Sequence, residues 1–408
     1  MATQQGRLFA GYGGRMLVSL SAAWAILQFG RFLLSPLLPA IIRDLGITTA
    51  TAGVVLGGLQ LVYAGTQMAS GRLSDQLTRP SLVVPGLVFL TAAFLLVGTA
   101  ATVVPFALGA LVLGFGKGLF TVPSRAQLSD LFDGRRGQAL GVYTAGTDLG
   151  GILAAVAGVV VAGGSAVFLE RIGFVATVSV GWRSPFRFVA AVLAVATVGY
   201  VLWNRESYRV GRPTLAFGET FRRLVTTSRQ RELLVAFSLF YFVVGAWVNF
   251  LPTYLAQSKG FPESLAAGLF AVVFLVGIVV KPLSGLLSDR LSGRLVAAGA
   301  LLFSVLGLAS VSLTSTLVPV VAAIAVYALG YKSVFPIADA LLLEEAPTAD
   351  VGADLGVARG IFIGVGALGP VYMGTVATVA TYRVGFVGLA LCYVVAAALL
   401  LNGYVREG

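Results

Sequence analysis

The sequence predicts an all-α membrane protein with twelve transmembrane helices in two pseudo-symmetric bundles of six. First, 58% of the 408 residues are hydrophobic and only 11% are charged, whereas a soluble domain has about 25% charged residues. Second, apolar runs recur along the whole chain, many as long as the roughly 18 residues that a helix needs to cross a hydrocarbon core. Third, the second half of the chain repeats short patterns of the first half.

Each apolar run is predicted to be a helix, because lipid cannot satisfy the backbone polar groups of irregular structure. The short connections between the runs favour antiparallel packing of neighbouring helices. Numbered 1 to 12 in chain order, the predicted spans are residues 16–42, 51–71, 81–100, 103–125, 138–163, 183–203, 231–257, 264–286, 295–314, 317–341, 352–380 and 383–404.

A charged segment separates the sixth span from the seventh, and it divides the chain into three predicted parts. Residues 1–203 form an N-terminal six-helix bundle, residues 204–230 a cytoplasmic linker and residues 231–408 a C-terminal six-helix bundle. Halves that repeat in parallel are typical of transporters whose binding site lies between the halves, near the middle of the membrane.

The basic residues predict how the chain is oriented. They concentrate in alternate loops, and such loops face the cytoplasm in membrane proteins. The prediction therefore places both termini and the linker in the cytoplasm of a prokaryotic cell, with the spans in its plasma membrane. The outside loops then hold only Arg43, Arg171, Arg183, Arg187, Lys259 and Arg383, against a longer inside set that includes Arg7, Arg72, Arg125 and the linker arginines.

Composition also excludes several functions. The net charge of +11 is spread over alternate loops and forms no stripe that would bind a nucleic acid. With no histidine and the single cysteine Cys392, zinc hydrolase motifs, Ser-His triads and disulfide frameworks are impossible. The sequence predicts a protein that is not an enzyme and that has no cofactor, no metal site and no nucleic-acid partner.

One loop motif occurs in both halves. Gly71, Leu73, Asp75 and Arg79 follow the spacing G-x-L-x-D-R-x-G-R-R/K after span 2. The corresponding loop after span 8 has Gly285, Leu287, Asp289, Arg290, Gly293 and Arg294, with one extra residue before Gly293. On these motifs the chain resembles the major facilitator superfamily along essentially its full length. That resemblance implies transport by alternating access, with spans 1, 4, 7 and 10 around a central cavity.

The same loops are predicted to gate the transporter. Asp75 can accept hydrogen bonds from helix N-terminal amides and pair with an arginine of the other half. Asp75, Arg79, Asp289 and Arg290 would then hold the outward-open state, although a simple helix terminator and topology signal is the alternative. A second gate or stabilising pair is predicted between Asp339 and Arg359, with independent snorkelling to the surface as the alternative.

Three cations are predicted to lie deep in the membrane, namely Arg31, Lys117 and Lys332 in spans 1, 4 and 10. A charge at the bilayer centre costs at least about 2.5–3.5 kcal/mol, and Asp148 is the one clearly mid-depth carboxylate. A bound anion would supply the missing negative charge; pairing with each other or with carbonyls is the alternative. Lys281 is left open, since it could reach the cytoplasmic surface.

The first span sharpens this prediction by a second resemblance. Gly30-Arg31-Phe32, followed by Pro39, is similar to the first helix of the anion:cation symporters and organophosphate antiporters, in which an arginine at this spacing contacts the anionic substrate. The symporters commonly have an acid where Gly30 stands, and Lys117 replaces the acid of their G-x-G-E. Asp148 is therefore the predicted proton-coupling residue, and exchange of one anion for another remains open.

The predicted function is a monomeric secondary transporter of a small inorganic or organic anion in the lipid bilayer, with a coupling ion or counter-substrate. Tyr63, Asn249 and Tyr241 join the cations as predicted substrate-binding residues, against the alternative of helix packing and interhelical hydrogen bonds. The alternative function is a proton-coupled drug or metabolite efflux antiporter. Against it, Ala110 stands where drug antiporters have an arginine, and 146–151 lacks their proline.

Overall fold

The computed structural model describes residues 8–164, 181–209, 211, 218–344 and 351–407, and among these residues it contains helices and no strand. Arg7 and Arg171, used above for orientation, lie outside this part of the chain. The helices are α1 Gly11–Leu33, α2 Leu38–Leu45, α3 Thr49–Gln76, α4 Pro80–Thr99, α5 Val103–Leu131, α6 Arg136–Val159, α7 Arg183–Trp203, α8 Gly218–Thr226, α9 Ser228–Gln257, α10 Glu263–Arg290, α11 Gly293–Leu313, α12 Leu317–Glu344, α13 Val351–Gly366, α14 Leu368–Val379 and α15 Tyr382–Glu407.

The predicted membrane architecture is confirmed. In the described part of the chain eleven segments are long and apolar enough to cross a membrane, and the bent pair α2 and α3 raises the number to as many as twelve. Between α2 and α3 the chain turns by 117°. Gly46 ends α2 with a φ of 60°, a left-handed conformation that costs glycine little. The Thr48 hydroxyl then accepts from the Thr51 N–H at 3.0 Å and begins α3.

Two predicted spans are interrupted. Span 1 was expected to be one helix, but α1 ends at Leu33 and α2 begins at Leu38. Pro36 and Pro39 explain the break, because proline has no N–H to donate and its ring clashes with the preceding turn. Span 11 is likewise divided into α13 and α14 at Ala367, three residues before Pro370.

The two bundles repeat the same helix contacts. In the first, α1 packs on α6 and α7, α5 on α3 and α4, and α4 on α7. In the second, α9 packs on α13, α14 and α15, α12 on α10 and α11, and α11 on α15. The halves meet where α3 packs on α13 and α14, and where α10 packs on α6. This is the arrangement that the resemblance to the major facilitator superfamily implies; the division at residues 204 and 230 stays a prediction.

The start of α1 and the end of α15 lie on one side of the molecule, which we call the termini face. The Tyr12 hydroxyl near the start of α1 accepts from the Arg205 N–H at 3.3 Å, just past the end of α7. At the end of α15, Arg406 pairs with Glu232 of α9 at 2.7 Å. The other side, the opposite face, contains the α2–α3 turn and the α9–α10 loop.

The charged segment contacts both bundles. Its first part is bound to the N-terminal bundle, since Arg209 donates its N–H to the Ser81 hydroxyl at 2.9 Å and Gln127 donates to Glu206 at 3.1 Å. Its last part forms α8, which packs on α9 and α13 of the second bundle. The segment therefore joins the halves at the termini face.

Candidate functional site

A cavity of about 890 Å³ lies between the two bundles. Its wall is formed by α1, α3, α5 and α6 from the first half and by α9, α10, α12 and α13 from the second. All six predicted substrate-binding residues and the predicted coupling residue lie in this wall: Arg31, Tyr63, Lys117, Tyr241, Asn249, Lys332 and Asp148. Their roles stay predictions, but their common location follows from the fold.

Arg31 is a buried cation with part of its guanidinium unsatisfied. The side chain, 4% exposed, donates from Nη2 to Oδ1 of Asn249 at 3.0 Å. The Asn249 amide in turn donates to the Gly245 carbonyl at 2.6 Å, which fixes its orientation. Nη1 has no hydrogen-bond partner among the described residues. Because a buried donor without a partner is costly, this nitrogen is available to a ligand.

Lys117 lies on α5 without an acidic partner. It is buried, and within the described ranges it has neither an ion pair nor a side-chain hydrogen bond. Its Nζ lies 4.2 Å from the centre of the Tyr63 ring, a cation–π contact. Glycine sets this geometry: a Cβ on Gly114 would lie 2.2 Å from the Leu59 carbonyl oxygen, so only glycine lets α5 approach α3 this closely.

Asp148 joins the first bundle to the second. Its Oδ2 accepts from Lys281 of α10 at 2.5 Å, and its Oδ1 accepts from Lys332 of α12 at 3.1 Å. The small residues of α6 make this possible. A Cβ on Gly150 would lie 2.6 Å from the Phe29 nitrogen of α1, and one on Gly151 would lie 2.3 Å from the Phe274 ring of α10.

Lys281 is a cavity residue that the sequence analysis left open. It was expected to be able to reach the surface, but its Nζ turns to Asp148 and it lines the cavity. One turn earlier on α10 stands Gly277, whose absent side chain leaves room for the ion pair, since a Cβ there would lie 3.0 Å from both Asp148 Oδ1 and Lys332 Cδ. The spacing of Gly277 and Lys281 is the signal that places them on one helix face.

Arg125 was missed as a site residue because the prediction ended span 4 there and counted it as a loop arginine. The helix continues to Leu131, and Arg125 lines the cavity. Its guanidinium carbon lies 5.4 Å from the Trp24 ring centre and 5.8 Å from that of Tyr143. Its Nε is buried without a hydrogen-bond partner in the described part of the chain.

The predicted gate residues fall into two groups. Arg359 donates from Nε to Asp339 Oδ1 at 3.0 Å and from Nη2 to the other carboxylate oxygen, which joins α12 to α13 at the wall of the cavity. Arg79 instead contacts its own half, with Nε 3.2 Å from Asp130 Oδ2. Asp289 and Arg290 are exposed at the end of α10, and the side chain of Asp75 lies outside the described residues.

Six cations and two carboxylates line the cavity, an excess of four positive charges among the described residues: Arg31, Lys117, Arg125, Lys281, Lys332 and Arg359 against Asp148 and Asp339. Exposure increases toward the termini face. The side chains of Lys332 and Asp148 are 4% and 6% exposed, whereas those of Lys281 and Asp339 are 29% and 38% exposed. The cavity therefore opens on the termini face.

Contacts between the halves close the opposite face. Arg43 in the last turn of α2 pairs with Glu263 at the start of α10, and the Ser35 hydroxyl donates to the Val248 carbonyl at 2.7 Å. Glycine lets α3 and α14 touch, since a Cβ on Gly53 would lie 2.4 Å from the Pro370 carbonyl oxygen. These contacts leave the site accessible from one side only.

A sequence comparison decides the family. The profile of the Major Facilitator Superfamily matches residues 20–370. The chain belongs to the major facilitator superfamily. The family and the relatives are transporters and not enzymes, which confirms the predicted class of protein. Members of the family handle small-molecule substrates together with a coupling ion or counter-substrate. The chain is a multi-pass membrane protein.

Several curated relatives have names that specify anions. A protein of Cupriavidus necator named "Probable sulfoacetate transporter" is 28% identical over 65% of this chain and 63% of its own length. A "Probable nitrate/nitrite transporter" of Mycobacterium tuberculosis is 28% identical over 66% of this chain and 65% of its own. The chain thus matches just under two thirds of the length of both. A glycerol-3-phosphate transporter of Bacillus subtilis is 25% identical over 72% of this chain and 66% of its own.

Solved structures agree on the fold. A bacterial homologue of the human lysosomal transporter Spinster, in an inward-facing conformation, superposes with a TM-score of 0.78 over 95% of this chain and 96% of its own, at 18% identity. A POT peptide transporter in complex with sulfate gives a TM-score of 0.75 over 98% and 96%, at 15% identity. At such identities the likeness concerns the architecture alone.

Proposed function

We propose that this protein is a secondary active transporter that moves a small anion across the cell membrane by alternating access. The observation that supports this most strongly is the state of Arg31 and Lys117, two buried cavity cations with no carboxylate beside them in the part of the chain that the structure describes. Burying a charge without a partner is expensive, so such groups mark a binding site. An anion between them would make charge-assisted hydrogen bonds with both.

The charge of the whole cavity supports the same substrate class. Four positive charges in excess attract an anion and repel a cation, because the protein walls screen charge less than water does. An efflux antiporter for cationic or lipophilic drugs would place these charges against its own substrate. One relative is a multidrug resistance protein of Klebsiella pneumoniae, 24% identical, but the relatives named for sulfoacetate, nitrate and glycerol-3-phosphate match the cavity charge.

Alternating access follows from the two faces. The halves are in contact at the opposite face, and the cavity between them opens on the termini face, so the proposed cycle breaks the Arg43–Glu263 contact as the termini face closes. In that closed state Asp75 and Arg79 would meet the second half, and Asp289 and Arg290 the first. Residues 204–230 would link the moving halves without blocking them.

We place the termini face on the cytoplasmic side of the plasma membrane, because the alternate loops rich in arginine lie on that side. In this orientation the cavity opens inward. The protein would work as a monomer in the bilayer, since each chain contributes both halves of its own cavity. Asp148 is proposed to couple transport to protons, with anion exchange as the alternative that needs no proton carrier.

Uptake into proteoliposomes tests the proposal. A panel of radiolabelled sulfoacetate, nitrate and glycerol 3-phosphate is measured with and without a pH gradient. Arg31→Ala and Lys117→Ala should each reduce uptake of the transported anion by about 100-fold or more, the effect of losing a charge-assisted hydrogen bond in a buried site. Arg222→Ala, on the exposed surface of α8, is the matched control and should leave uptake unchanged. Normal transport by both cavity variants would refute the anion site.

A further inference from the structure

We infer that the substrate is a two-headed organic anion, with one acidic group on Arg31 and Lys117 and a second acidic group on Lys281 and Lys332, where it replaces Asp148. This inference rests on the proposed anion transport and specifies its substrate class. It assigns the two sets of cavity cations to two different groups of one molecule. Arg31 and Lys117 are called centre 1, and Lys281 and Lys332 are called centre 2.

Centre 1 has an open place for an acidic group. Arg31 uses Nη2 on Asn249 and leaves Nη1 unsatisfied. Lys117 contacts the face of the Tyr63 ring, and no described residue accepts a hydrogen bond from its ammonium group, so its donors are available to a ligand. One carboxylate or sulfonate here would satisfy donors from α1 and α5.

Centre 2 already contains an acidic group, and that group belongs to the protein. Asp148 gives one oxygen to Lys281 and the other to Lys332. Two ammonium groups share one carboxylate, so one positive charge is left over, and each lysine has donors that Asp148 does not use. Lys281 is also the more exposed of the two, with 29% of its side chain accessible from the open side. A second acidic group can therefore approach and compete with Asp148.

The size of the cavity argues against a single inorganic ion. A volume of about 890 Å³ lies within the roughly 300–1,000 Å³ of sites that bind small organic molecules. Centre 1 is formed by α1 and α5 of the first half, whereas the lysines of centre 2 belong to α10 and α12 of the second. An anion with one charged group satisfies one centre, and a molecule that satisfies both centres needs two charged groups joined by a carbon chain.

The arrangement also connects binding with movement. While Asp148 holds Lys281 and Lys332, an ion pair ties α6 to α10 and α12. A two-headed ligand takes over those lysines and ties them to Arg31 and Lys117 instead. The link between the halves then passes through the substrate, so the loaded and the unloaded transporter have different contacts between their halves.

Binding to the purified protein, measured by isothermal titration calorimetry, tests the inference. The probes are matched pairs of equal chain length, namely malonate with propionate, succinate with butyrate, and 3-sulfopropionate with propanesulfonate, and sulfate as an ion with two charges on one centre. At least one two-headed probe should bind about 10-fold or more tightly than its one-headed partner and than sulfate, as expected for an added charge-assisted contact.

Two variants make the assignment specific. Lys332→Gln should reduce the ratio of two-headed to one-headed affinity to about 1. The affinity of the one-headed partner should change by no more than about twofold, since only centre 2 is changed. Asp148→Asn removes the internal competitor and should raise the affinity of the two-headed probe by about 10-fold, again without effect on its partner. Gel filtration and thermal unfolding confirm that each variant is folded.

The outcomes separate this inference from the proposed function. If one-headed anions bind in a manner that depends on Arg31 and the two-headed probes bind no better, the two-headed assignment is wrong and anion transport stands. A two-headed preference that persists in Lys332→Gln and does not grow in Asp148→Asn also overturns it. If no probe binds in a manner that depends on Arg31, both proposals fall.

Discussion

Lys117 and Lys332 occupy comparable places in the two bundles, yet their surroundings differ. Each lies on the fourth span of its half, and each is preceded by a leucine and a glycine, of which the glycine lets its helix pack closely on a neighbour. Lys332 has Asp148 at 3.1 Å, whereas Lys117 has the face of Tyr63. Internal pseudo-symmetry therefore places two cations, and the neighbouring helices decide which one is neutralised within the protein.

The difference indicates how a symmetric scaffold becomes selective. If both lysines had carboxylates, neither centre would have an unpaired lysine for a substrate. If neither had one, two buried charges would destabilise the protein whenever the substrate is absent. One paired and one unpaired centre is the arrangement in which substrate binding gains most and the unloaded state is still stable.

The largest effect is expected from giving centre 1 a carboxylate of its own. Asn249→Asp would place an acid at the atom that now accepts from Arg31 at 3.0 Å, so centre 1 would resemble centre 2. Anion affinity should fall by about 100-fold, because the substrate would have to displace an internal counter-charge. Asn249→Ala, which removes the acceptor without adding charge, should lower anion affinity by about 10-fold or less. Equal effects in titration calorimetry would show that the charge of centre 1 is not what binds the anion.

The next largest effect is expected from replacing each of the two lysines separately by glutamine. Lys117→Gln should weaken the binding of all anions by about 30-fold. Lys332→Gln should weaken the binding only of anions with a second acidic group, because Asp148 satisfies Lys332 when no such group is bound. The measurement is inhibition of uptake by one-headed and two-headed competitors. Identical selectivity profiles for the two variants would mean that the two centres are equivalent after all.

A smaller change concerns the room that glycine leaves for centre 2. Gly277→Ala would bring a Cβ to 3.0 Å from Asp148 Oδ1 and Lys332 Cδ, so the pair must shift by a few tenths of an ångström. We expect about a fivefold loss of two-headed anion affinity, a fraction of a lysine contact. Gly285→Ala, on the same helix with nothing within 4 Å, is the matched control. It should change affinity by less than about twofold and gain helix propensity.

The pH profile tests the coupling role of Asp148. If this carboxylate transfers the coupling proton, Asp148→Asn should make uptake independent of the pH gradient while counter-anion exchange continues. The measurement is uptake into proteoliposomes with the gradient present and after its collapse by an ionophore. A gradient dependence equal to that of the unmodified protein would assign coupling to another group.

The smallest effect is expected at the opposite face. Arg43→Gln and Glu263→Gln break an ion pair whose side chains are 61% and 32% exposed, and such a pair contributes at most about 1 kcal/mol. Either variant should shift the population toward the state that opens there, by about threefold in the ratio. Labelling of a cysteine introduced at Ser35 reports this opening. No change in labelling would mean that glycine packing between α3 and α14 alone holds the face closed.

The amino-acid sequence determined the architecture and six of the eight charged residues that line the cavity. Twelve apolar runs must be helices in lipid, and two similar sets of six must pack as two similar bundles. Because a charge in the membrane is costly, the sequence alone identified Arg31, Lys117, Lys332 and Asp148 as candidate site residues. The breaks at Pro36 and at Ala367 lay beyond the prediction, because apolar composition continues through both.

Only the tertiary structure decided which charges are partners. Asp148 lies 133 residues from Lys281 and 184 from Lys332, and no local pattern relates positions so far apart. Arg125 was counted as a loop cation and Lys281 was left open, because the sequence tells how far a residue lies along its helix but not which way the helix is turned. The rotation of each helix is set by close glycine contacts with its neighbours, and those contacts exist only in the folded bundle.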